Sequence, residues 1–259
     1  MSTPGLKVTN LSFRHGANPI LQGIDLDFQP GRHYVLAGPN GAGKSTLLSL
    51  LASLRRPAGG EILLAKRPLE SYAPRELARQ LAFAQQEFHF DFSFTVRELV
   101  AMGRRPHLGG WGRLGAEDRE RVETVLGELN LSPYGDNLVT TLSGGEGRRC
   151  LVARALVQDT PVVLLDEPTA GLDIRQALFL LAAIRRRVQA GGLVVSVLHD
   201  LNLAASHADV LVFLQAGRVV AAGGVEEVFR PDILRQVYDT PAAVGRDAFT
   251  ASLTASFRL

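Results

Sequence analysis

The stretch from Val35 to Thr46, which reads VLAGPNGAGKST, constrains this chain more than any other. A short apolar run leads into Gly38, and residues 38–45 match the pattern G-x-x-x-x-G-K-[ST] without a gap. Glycines at these positions let successive backbone N–H groups converge on one anion, because they adopt unusual φ/ψ angles and carry no Cβ atom. The pattern therefore predicts a strand, a phosphate-binding loop and a helix, in that order.

The residue types of this loop suit a nucleotide. Lys44 supplies a positive charge for the β and γ phosphates, Ser45 supplies a hydroxyl for Mg²⁺, and the following helix presents its positive end to the same anion. A glycine-rich turn that only caps a helix would explain Gly43 but would leave Lys44 and Ser45 unexplained. The candidate nucleotide-binding residues are Gly38, Pro39, Asn40, Gly41, Ala42, Gly43, Lys44, Ser45 and Thr46.

The composition is that of a globular chain without a strong charge bias. Its 259 residues are 46% hydrophobic, which is ample for a buried core. The 28 Lys and Arg residues nearly balance 26 Asp and Glu residues, for a net charge of +2, and no long basic run occurs. These values argue against a dedicated nucleic-acid-binding protein, so we expect no nucleic-acid partner.

The single cysteine, Cys150, excludes an internal disulfide framework and fits a reducing compartment. It stands beside Leu151 in a predicted helix, so we expect a thiol in the core and not a catalytic one. The first ten residues lack the basic and apolar regions of a signal peptide. No window of 18 residues is free of charge, so we expect no membrane-spanning helix and infer that any action at a membrane needs a partner.

The first part of the chain is predicted to be rich in strands. Apolar residues alternate or cluster over strand lengths, and glycine and proline turn signals separate the segments. Besides the strand before the phosphate loop, the predicted strands are Lys7–Phe13, Ile20–Phe28, Glu61–Ala65 and Leu81–Gln85. The predicted helices are Lys44–Leu54, which ends before two arginines and a proline, and Pro74–Gln80.

Residues 95–132 are predicted to form a helical insertion. Thr95 and Glu98 have the spacing of a capping box at a helix start. The apolar residues on one face of a second helix are Val122, Val125, Leu126 and Leu129. A loop rich in Gly and Arg, residues 103–115, lies between the two helices.

After Leu142 the chain alternates helices with apolar strands. This order is typical of an α/β fold whose parallel sheet is covered on both faces. The predicted elements are helix Gly145–Gln158, strand Pro161–Leu165, helix Arg175–Ala190, strand Leu193–Leu198 and a closing hairpin of Val210–Leu214 with Arg218–Ala222. The residues from Thr240 onward have no clear period and receive no assignment.

Titratable side chains follow two of these apolar strands. Asp166 and Glu167 stand where open parallel sheets place their ligands, whereas two acids at a strand end could also be a solvated terminus. A phosphate loop needs one carboxylate to hold the metal and another to orient or deprotonate water. His199 ends the next strand and should lie beside Asp166, so we expect a γ-phosphate contact in preference to a purely structural histidine. The spacing of the other histidines leaves Mg²⁺ as the metal to expect.

The stretch Leu142–Glu146, LSGGE, combines two signals. Ser143 and Glu146 have capping-box spacing, and a simple helix start would explain them. The two glycines between them have no side chains to cover the backbone N–H groups at the helix N-terminus. Exposed N–H groups at a helix N-terminus can bind an anion. The candidate residues are Ser143, Gly144, Gly145 and Glu146, and the chain therefore has two phosphate-competent helix starts.

Together these motifs resemble the nucleotide-binding subunits of ATP-binding-cassette (ABC) transporters. Residues 38–45 correspond to the Walker A loop, Val162–Asp166 to the Walker B strand and Leu142–Glu146 to the LSGGQ signature, with Glu in place of the final Gln. The likeness covers the chain from about Lys7 to Val237. It implies a P-loop NTPase core with a parallel sheet, an N-terminal antiparallel β subdomain and a helical insertion, with MgATP as the substrate.

The resemblance also implies individual roles. Glu167 corresponds to the catalytic carboxylate, Asp173 to the D-loop aspartate and His199 to the switch histidine. Gln86 corresponds to the Q-loop glutamine, a ligand of the metal with Ser45 and Asp166, and Gln85 is the neighbouring alternative. His15 stands where the family carries an adenine-stacking tyrosine, and Phe13 is the other candidate.

The resemblance implies a head-to-tail dimer, in which each ATP lies between the Walker A loop of one copy and the signature of the other. Residues 95–107 and 199–209 are similar to the ATPases of importers for ferric siderophores, haem and cobalamin. That likeness implies a separate polytopic permease, a periplasmic or extracellular substrate-binding protein and a peripheral place on the cytoplasmic face of the cell membrane. Residues 88–94 and the insertion would dock the permease, although core packing would explain about half of those phenylalanines.

The predicted organisation is an ATPase domain over residues 1–239, with a helical subdomain at about 95–158, and a tail over 240–259. A non-transport ABC ATPase of translation or DNA repair is the alternative function. Such relatives usually have tandem cassettes or long coiled-coil insertions, which this chain lacks. A small-molecule kinase with the same phosphate loop is disfavoured by the LSGGE stretch.

Overall fold

The computed structural model describes residues 3–85, 93–109 and 112–258. Its strands are β1 (Leu6–His15), β2 (Asn18–Phe28), β3 (His33–Ala37), β4 (Gly59–Leu64), β5 (Arg67–Pro68), β6 (Leu81–Ala84), β7 (Val162–Asp166), β8 (Leu193–Val197), β9 (Val210–Gln215), β10 (Arg218–Gly224), β11 (Ala242–Arg246) and β12 (Leu253–Phe257). Its α-helices are α1 (Lys44–Leu51), α2 (Pro74–Leu77), α3 (Val96–Ala101), α4 (Ala116–Glu128), α5 (Gly144–Val157), α6 (Ile174–Gln189), α7 (Leu201–His207), α8 (Val225–Val228) and α9 (Pro231–Tyr238).

A mostly parallel sheet forms the centre of the fold. Over the described residues its strand order is β10-β9-β3-β8-β7-β6, and all neighbours except β9 and β10 run parallel. Every residue of β3, β7 and β8 is buried, which explains their continuous apolar sequences. Val197 of β8 is in register with both Leu36 and Asp166, so these three strands end at the same edge of the sheet.

Successive residues of each central strand enter two different cores. Val35 and Val163 belong to a core shared with α3–α7 and α9, whereas Leu36 and Leu164 belong to a core shared with α1 and the N-terminal strands. The N-terminal strands form an antiparallel sheet of order β2-β1-β4-β5. The predicted α/β class, the antiparallel β subdomain and the closing hairpin of β9 and β10 are therefore confirmed.

The helical insertion begins at the capping box that the sequence predicts. The backbone N–H of Thr95 donates to Glu98 Oε2 at 2.8 Å, and the N–H of Glu98 donates to Thr95 Oγ1 at 3.2 Å. Helix α4 buries Val122 and Leu126, two of the four residues predicted for its apolar face. Cys150 is fully buried in α5, and burial raises the pKa of its thiol to about 12, as expected of a core cysteine.

Two predicted helices are too long. Helix α1 ends at Leu51 instead of Leu54, because Ser53 adopts a left-handed φ of 59° that stops the regular hydrogen-bond ladder. Helix α2 ends at Leu77, and the next three residues close a turn in front of β6. Because helix ends depend on such local turns, the apolar pattern alone overestimated both lengths.

The residues after Thr240 form an antiparallel hairpin of β11 and β12. The ring of Phe257 meets the ring of Tyr238 edge to face at a centroid distance of 5.7 Å. The backbone N–H of Ala255 donates to Asn202 Oδ1 on α7 at 2.8 Å. The hairpin therefore packs on α9 and α7. Within the described ranges, no helix is both long enough and apolar enough to cross a membrane.

Candidate active site

The loop after β3 is packed so closely that two of its glycines cannot be replaced without movement. Gly38 has a φ of 140°, and a Cβ atom there would lie 2.0 Å from the carbonyl oxygen of Leu214. Gly43 has a φ of 99°, and its Cβ atom would lie 2.6 Å from Leu21 Cδ2. The tertiary structure thus requires the glycines that the phosphate-loop pattern predicts.

Helix α1 starts with its backbone amides unprotected by any side chain. Its N-cap residue is Gly43, which makes no side-chain capping bond, and the first residues of the helix line a cleft of about 260 Å³. The cleft is lined by Ile20, Asn40, Gly41, Ala42, Gly43, Lys44, Ser45, Thr46, Glu167 and His199. An uncapped helix start that faces a cleft suits a phosphate group.

Lys44 is buried at the floor of this cleft. Its Nζ donates to the carbonyl oxygens of Gly38 at 2.8 Å and Pro39 at 2.9 Å. Burial lowers the pKa of Lys44, and the negative charges of Glu167 and Asp166 oppose this shift. The ammonium group is therefore held by the loop near the carboxylates of Asp166 and Glu167, at the end of β7.

Ser45 and Asp166 bring two hard oxygen ligands together. Ser45 Oγ donates to Asp166 Oδ1 at 3.1 Å, across 121 positions of sequence. Burial raises the pKa of Asp166, and the Ser45 hydrogen bond opposes that rise. Mg²⁺ in proteins is usually bound by one or two carboxylates, and phosphate oxygens and water complete its coordination shell. The Ser45 hydroxyl and the Asp166 carboxylate beside the phosphate cleft are such a set of oxygen ligands. The residues present fit Mg²⁺.

Glu167 and His199 form a hydrogen-bonded pair at the rim. His199 Nε2 lies 2.5 Å from Glu167 Oε1. The segments that follow β7 and β8 are therefore adjacent, as the sequence predicts. The Glu167 side chain is 13% exposed and that of His199 is 44% exposed. Glu167 has a φ of 50°, a conformation that costs a non-glycine residue about 1–3 kcal/mol and that aims its carboxylate into the cleft.

The signature turn, residues 142–146, begins helix α5 with a side-chain cap, which the start of α1 lacks. Ser143 Oγ accepts from the N–H of Glu146 at 3.3 Å, and the N–H of Ser143 donates to Glu146 Oε2 at 2.8 Å, so the predicted capping box is present. The Ser143 hydrogen bonds hold the pKa of Glu146 below its ordinary value. Nothing lies within 4 Å of the position that a Cβ atom would take at Gly144, so its backbone is open.

A second, more open cavity of about 580 Å³ surrounds this turn. It is lined by Ser143, Gly144, Gly145, Arg148, Ala170, Gly171, Asp173 and Gln176, and it shares no residue with the cleft at α1. Asp173 caps α6 by accepting from the N–H of Gln176 at 2.8 Å. The structure therefore brings the signature turn and the D-loop aspartate together, in a cavity separate from the phosphate loop.

Among the remaining predicted residues that the structure describes, His15 and Phe13 line neither cavity. His15 lies exposed at the end of β1 and is not a lining residue of the cleft at α1. Phe13 packs against the N-terminal core, with the Arg55 guanidinium 5.6 Å from its ring centre. Gln86 falls outside the described residues, and Gln85 directly follows β6. The adenine-stacking residue and the Q-loop ligand stay predictions.

Several residues that line the two cavities were not predicted from the sequence, among them Ile20 and Arg148. Ile20 comes from β2 and lines the phosphate cleft, and no local pattern marks it. Arg148 lines the signature cavity, and its Nη1 donates to the backbone oxygen of Glu167 at 3.2 Å. The helical period could have found Arg148, because it lies one turn after Gly144 on the same face of α5.

The geometry agrees with comparisons to known proteins. The family described as ABC transporter matches residues 21–170. This chain belongs to the ABC transporter family. The match spans the phosphate loop, the signature turn and the paired acids at the end of β7, which are the motifs described above. The chain is therefore an ABC ATPase, a protein that binds and hydrolyses ATP.

Two curated relatives of this ABC ATPase are similar over most of its length. The hemin import ATP-binding protein HmuV of Streptomyces coelicolor is 42% identical over 229 residues, which are 88% of this chain and 81% of that protein. The cobalamin import ATP-binding protein BtuD of Halobacterium salinarum is 38% identical over 250 residues, which are 96% of this chain and 62% of that protein.

Two solved structures share its fold. A structure of an ABC transporter assigned to the metal-chelate type, in an inward-facing conformation, gives a TM-score of 0.82 at 27% identity and covers 98% of this chain and 97% of its own. A dimeric ATP-binding cassette, MJ0796, in a post-hydrolysis state with ADP and Pi, gives a TM-score of 0.76 at 26% identity, with 85% and 98% covered.

Proposed function

We propose that this chain is the ATP-hydrolysing subunit of an importer, and that it powers the uptake of a chelated-metal compound through a separate membrane permease. The observation that carries the proposal is the pair of unlike half-sites on one chain. The cleft at α1 and the cavity at the signature turn have different lining residues and different helix starts. One nucleotide cannot be held by both within one copy, so a second copy completes each site.

Each residue of the cleft has a distinct role in this proposal. Lys44 and the amides of residues 38–46 hold the phosphates of ATP. Glu167 accepts a proton from the attacking water, and His199 donates a hydrogen bond to the γ phosphate. The contact of 2.5 Å between Glu167 and His199 keeps these two groups on the same side of the cleft.

Ser45, Gln86 and Asp166 would hold Mg²⁺ in this site. When bound, the ion neutralises phosphate charge and orients the leaving group. Hydroxyl, amide and carboxylate oxygens are hard ligands, and their chemistry supports the assignment.

The partner copy contributes Ser143, Gly144, Gly145 and Glu146 to the γ phosphate in a head-to-tail dimer. The MJ0796 cassette, at 26% identity, is described as dimeric, which supports this arrangement. His15 is the proposed stacking partner of the adenine, because its ring is exposed at the end of β1. Closing and reopening of such a dimer would move the permease between its access states.

The helical subdomain, residues 95–158, together with residues 88–94, is the proposed docking surface for the permease. The proposed ATPase domain covers residues 1–239, and residues 240–259 follow it as a tail. The subunit would act on the cytoplasmic face of the cell membrane, with a substrate-binding protein on the other side. The hemin and cobalamin relatives support haem, cobalamin or a ferric siderophore as the transported compound.

Transport in proteoliposomes tests the proposal. The chain would be co-purified with a candidate polytopic permease from the same organism, and ATP hydrolysis would be measured with haem, cobalamin and ferric siderophore, each on its binding protein. We expect one of the three to accumulate in an ATP-dependent way and to raise the hydrolysis rate. Failure of the chain to co-purify with any permease, or transport of none of the three compounds, would contradict the proposal.

A further inference from the structure

Arg148 lies between the two half-sites of one chain. It follows the glycines of the signature turn by one turn of α5 and lines the signature cavity with Ser143 and Asp173. Its Nη1 reaches out of that cavity to the backbone oxygen of Glu167, at 3.2 Å. The hydrogen bond therefore joins the helix that carries the signature turn to the residue that activates water.

Glu167 depends on such contacts, because its backbone is in the left-handed region with a φ of 50°. Its carbonyl oxygen also accepts from the N–H of Ala170 at 3.2 Å, and its carboxylate contacts His199 at 2.5 Å. A strained conformation persists only where the surroundings hold it in place. Fixing the carbonyl oxygen limits rotation of the residue and so limits where its carboxylate can point.

We propose that Arg148 is a positioning residue, which holds Glu167 by its backbone so that the carboxylate faces the attacking water. This inference rests on the proposed role of Glu167. The planar guanidinium of arginine donates a charge-assisted hydrogen bond in a defined direction. A lysine side chain has a similar length, and its ammonium group can donate a weaker hydrogen bond to the same oxygen. A methionine fills the same space without any donor.

Steady-state kinetics of the full-length chain test the inference. We expect Arg148→Met to lower kcat for ATP about 10- to 100-fold while KM stays within about twofold, because the lost contact acts on the hydrolytic step and not on ATP binding. Arg148→Lys should recover a large part of kcat. Arg235→Met, which removes an exposed arginine of α9, is the matched control and should leave both constants unchanged.

A mutant cycle separates positioning from general damage. If Arg148 acts through Glu167, Arg148→Met should leave the residual rate of the Glu167→Gln variant unchanged, because the group that it positions is already gone. Thermal unfolding of each variant would report loss of folding. A normal kcat in Arg148→Met, equal losses of kcat, ATP affinity and stability, or additive losses in the cycle would each overturn the inference. A Glu167→Gln variant that hydrolyses ATP at the wild-type rate would instead contradict the proposed role of Glu167 itself.

Discussion

The two helix starts that face the cavities differ in how their first amides are satisfied. Helix α1 begins at Gly43, which has no side chain to cap it, and its first turn carries Lys44 and no acid. Helix α5 begins at Ser143, whose hydroxyl caps the N–H of Glu146, and an acid stands in its first turn. Both starts contain glycine, yet only the first offers a positive side chain and lacks any side-chain cap.

This difference indicates that the two half-sites are suited to different contributions to nucleotide binding. The start of α1 lies in a cleft closed by the strand ends that carry Glu167 and His199, so it can hold most of a phosphate chain alone. The start of α5 has the N–H of Glu146 capped within its own chain and is open to solvent. In the proposed dimer it would meet an anion that the other copy presents, so one copy would hold the nucleotide and the other would complete the site.

The largest expected effect is on the hydrolytic half-site. Glu167→Gln keeps the shape of the side chain but removes its basic carboxylate, so we expect kcat to fall about 10²- to 10⁴-fold. ATP binding should persist, because Lys44 and the loop remain. Hydrolysis would be followed by phosphate release and binding by equilibrium titration, with the exposed Glu70→Gln as control. Near-normal turnover would refute the role.

The next prediction tests whether the signature turn needs an anion from another copy. Aspartate is a good N-cap residue, but at Ser143 its charge would face a phosphate. In a Glu167→Gln background, Ser143→Asp should weaken ATP-driven dimerisation about 10²-fold or more, since opposed like charges cost several kcal/mol.

The capping box at Thr95 supplies the control for Ser143→Asp. It has the same geometry at the start of α3 without glycines. Thr95→Asp should therefore leave dimerisation, measured by size-exclusion chromatography with MgATP, unchanged. If both aspartate variants dimerise equally well, the signature turn does not meet a phosphate in the partner.

Alanine substitution of one glycine in each half-site should change the free energy of unfolding by different amounts. Gly38→Ala places a methyl group 2.0 Å from a backbone oxygen at a φ of 140°, and we expect it to cost about 3 kcal/mol or more in the free energy of unfolding. Gly144→Ala meets nothing within 4 Å and should be neutral or stabilising by up to about 1 kcal/mol. Gly144→Ala should still reduce ATP hydrolysis, because the added methyl group would cover the exposed backbone of the signature turn. Urea unfolding measures both, and equal stability losses would remove the distinction.

The smallest expected effect concerns a buried histidine at the start of β3, the strand that leads into the phosphate loop. The ring of His33 has Nε2 2.8 Å from Ser196 Oγ and Nδ1 3.1 Å from the carbonyl oxygen of His207, at the end of α7. Burial lowers the pKa of His33 to about 4, and the His207 carbonyl and Asp209 oppose this shift. The unfolded chain therefore binds the proton more readily, and stability falls as the pH drops from about 6.5 towards 4.

At pH 5.5 this loss should reach about 1.4 kcal/mol relative to pH 7.5. Urea unfolding of the wild type and of His33→Gln at both pH values measures it, because the variant should lack that part of the pH dependence. The same slope in both proteins would show that the pKa of His33 does not differ between the folded and the unfolded state.

Much of the fold follows from local patterns. The apolar runs predicted the buried strands, and the capping-box spacing predicted the starts of α3 and α5, because both signals depend on residues within one or two turns. The order of strands and helices predicted that His199 would lie beside Asp166, since parallel strands align their carboxyl ends. The ends of α1 and α2 and the hairpin after Thr240 escaped prediction, because turns and packing partners decide them.

The sequence by itself determined the chemistry of this protein: a glycine-rich loop with its lysine, two acids and a histidine after apolar strands, and a glycine-bearing capped helix. Only the tertiary structure decided which of these groups meet. The bond from Ser45 to Asp166 and the bond from Arg148 to Glu167 join residues 121 and 19 positions apart. Such contacts depend on strand register and on the rotation of packed helices, and these are set by the whole core and not by any short stretch of the chain.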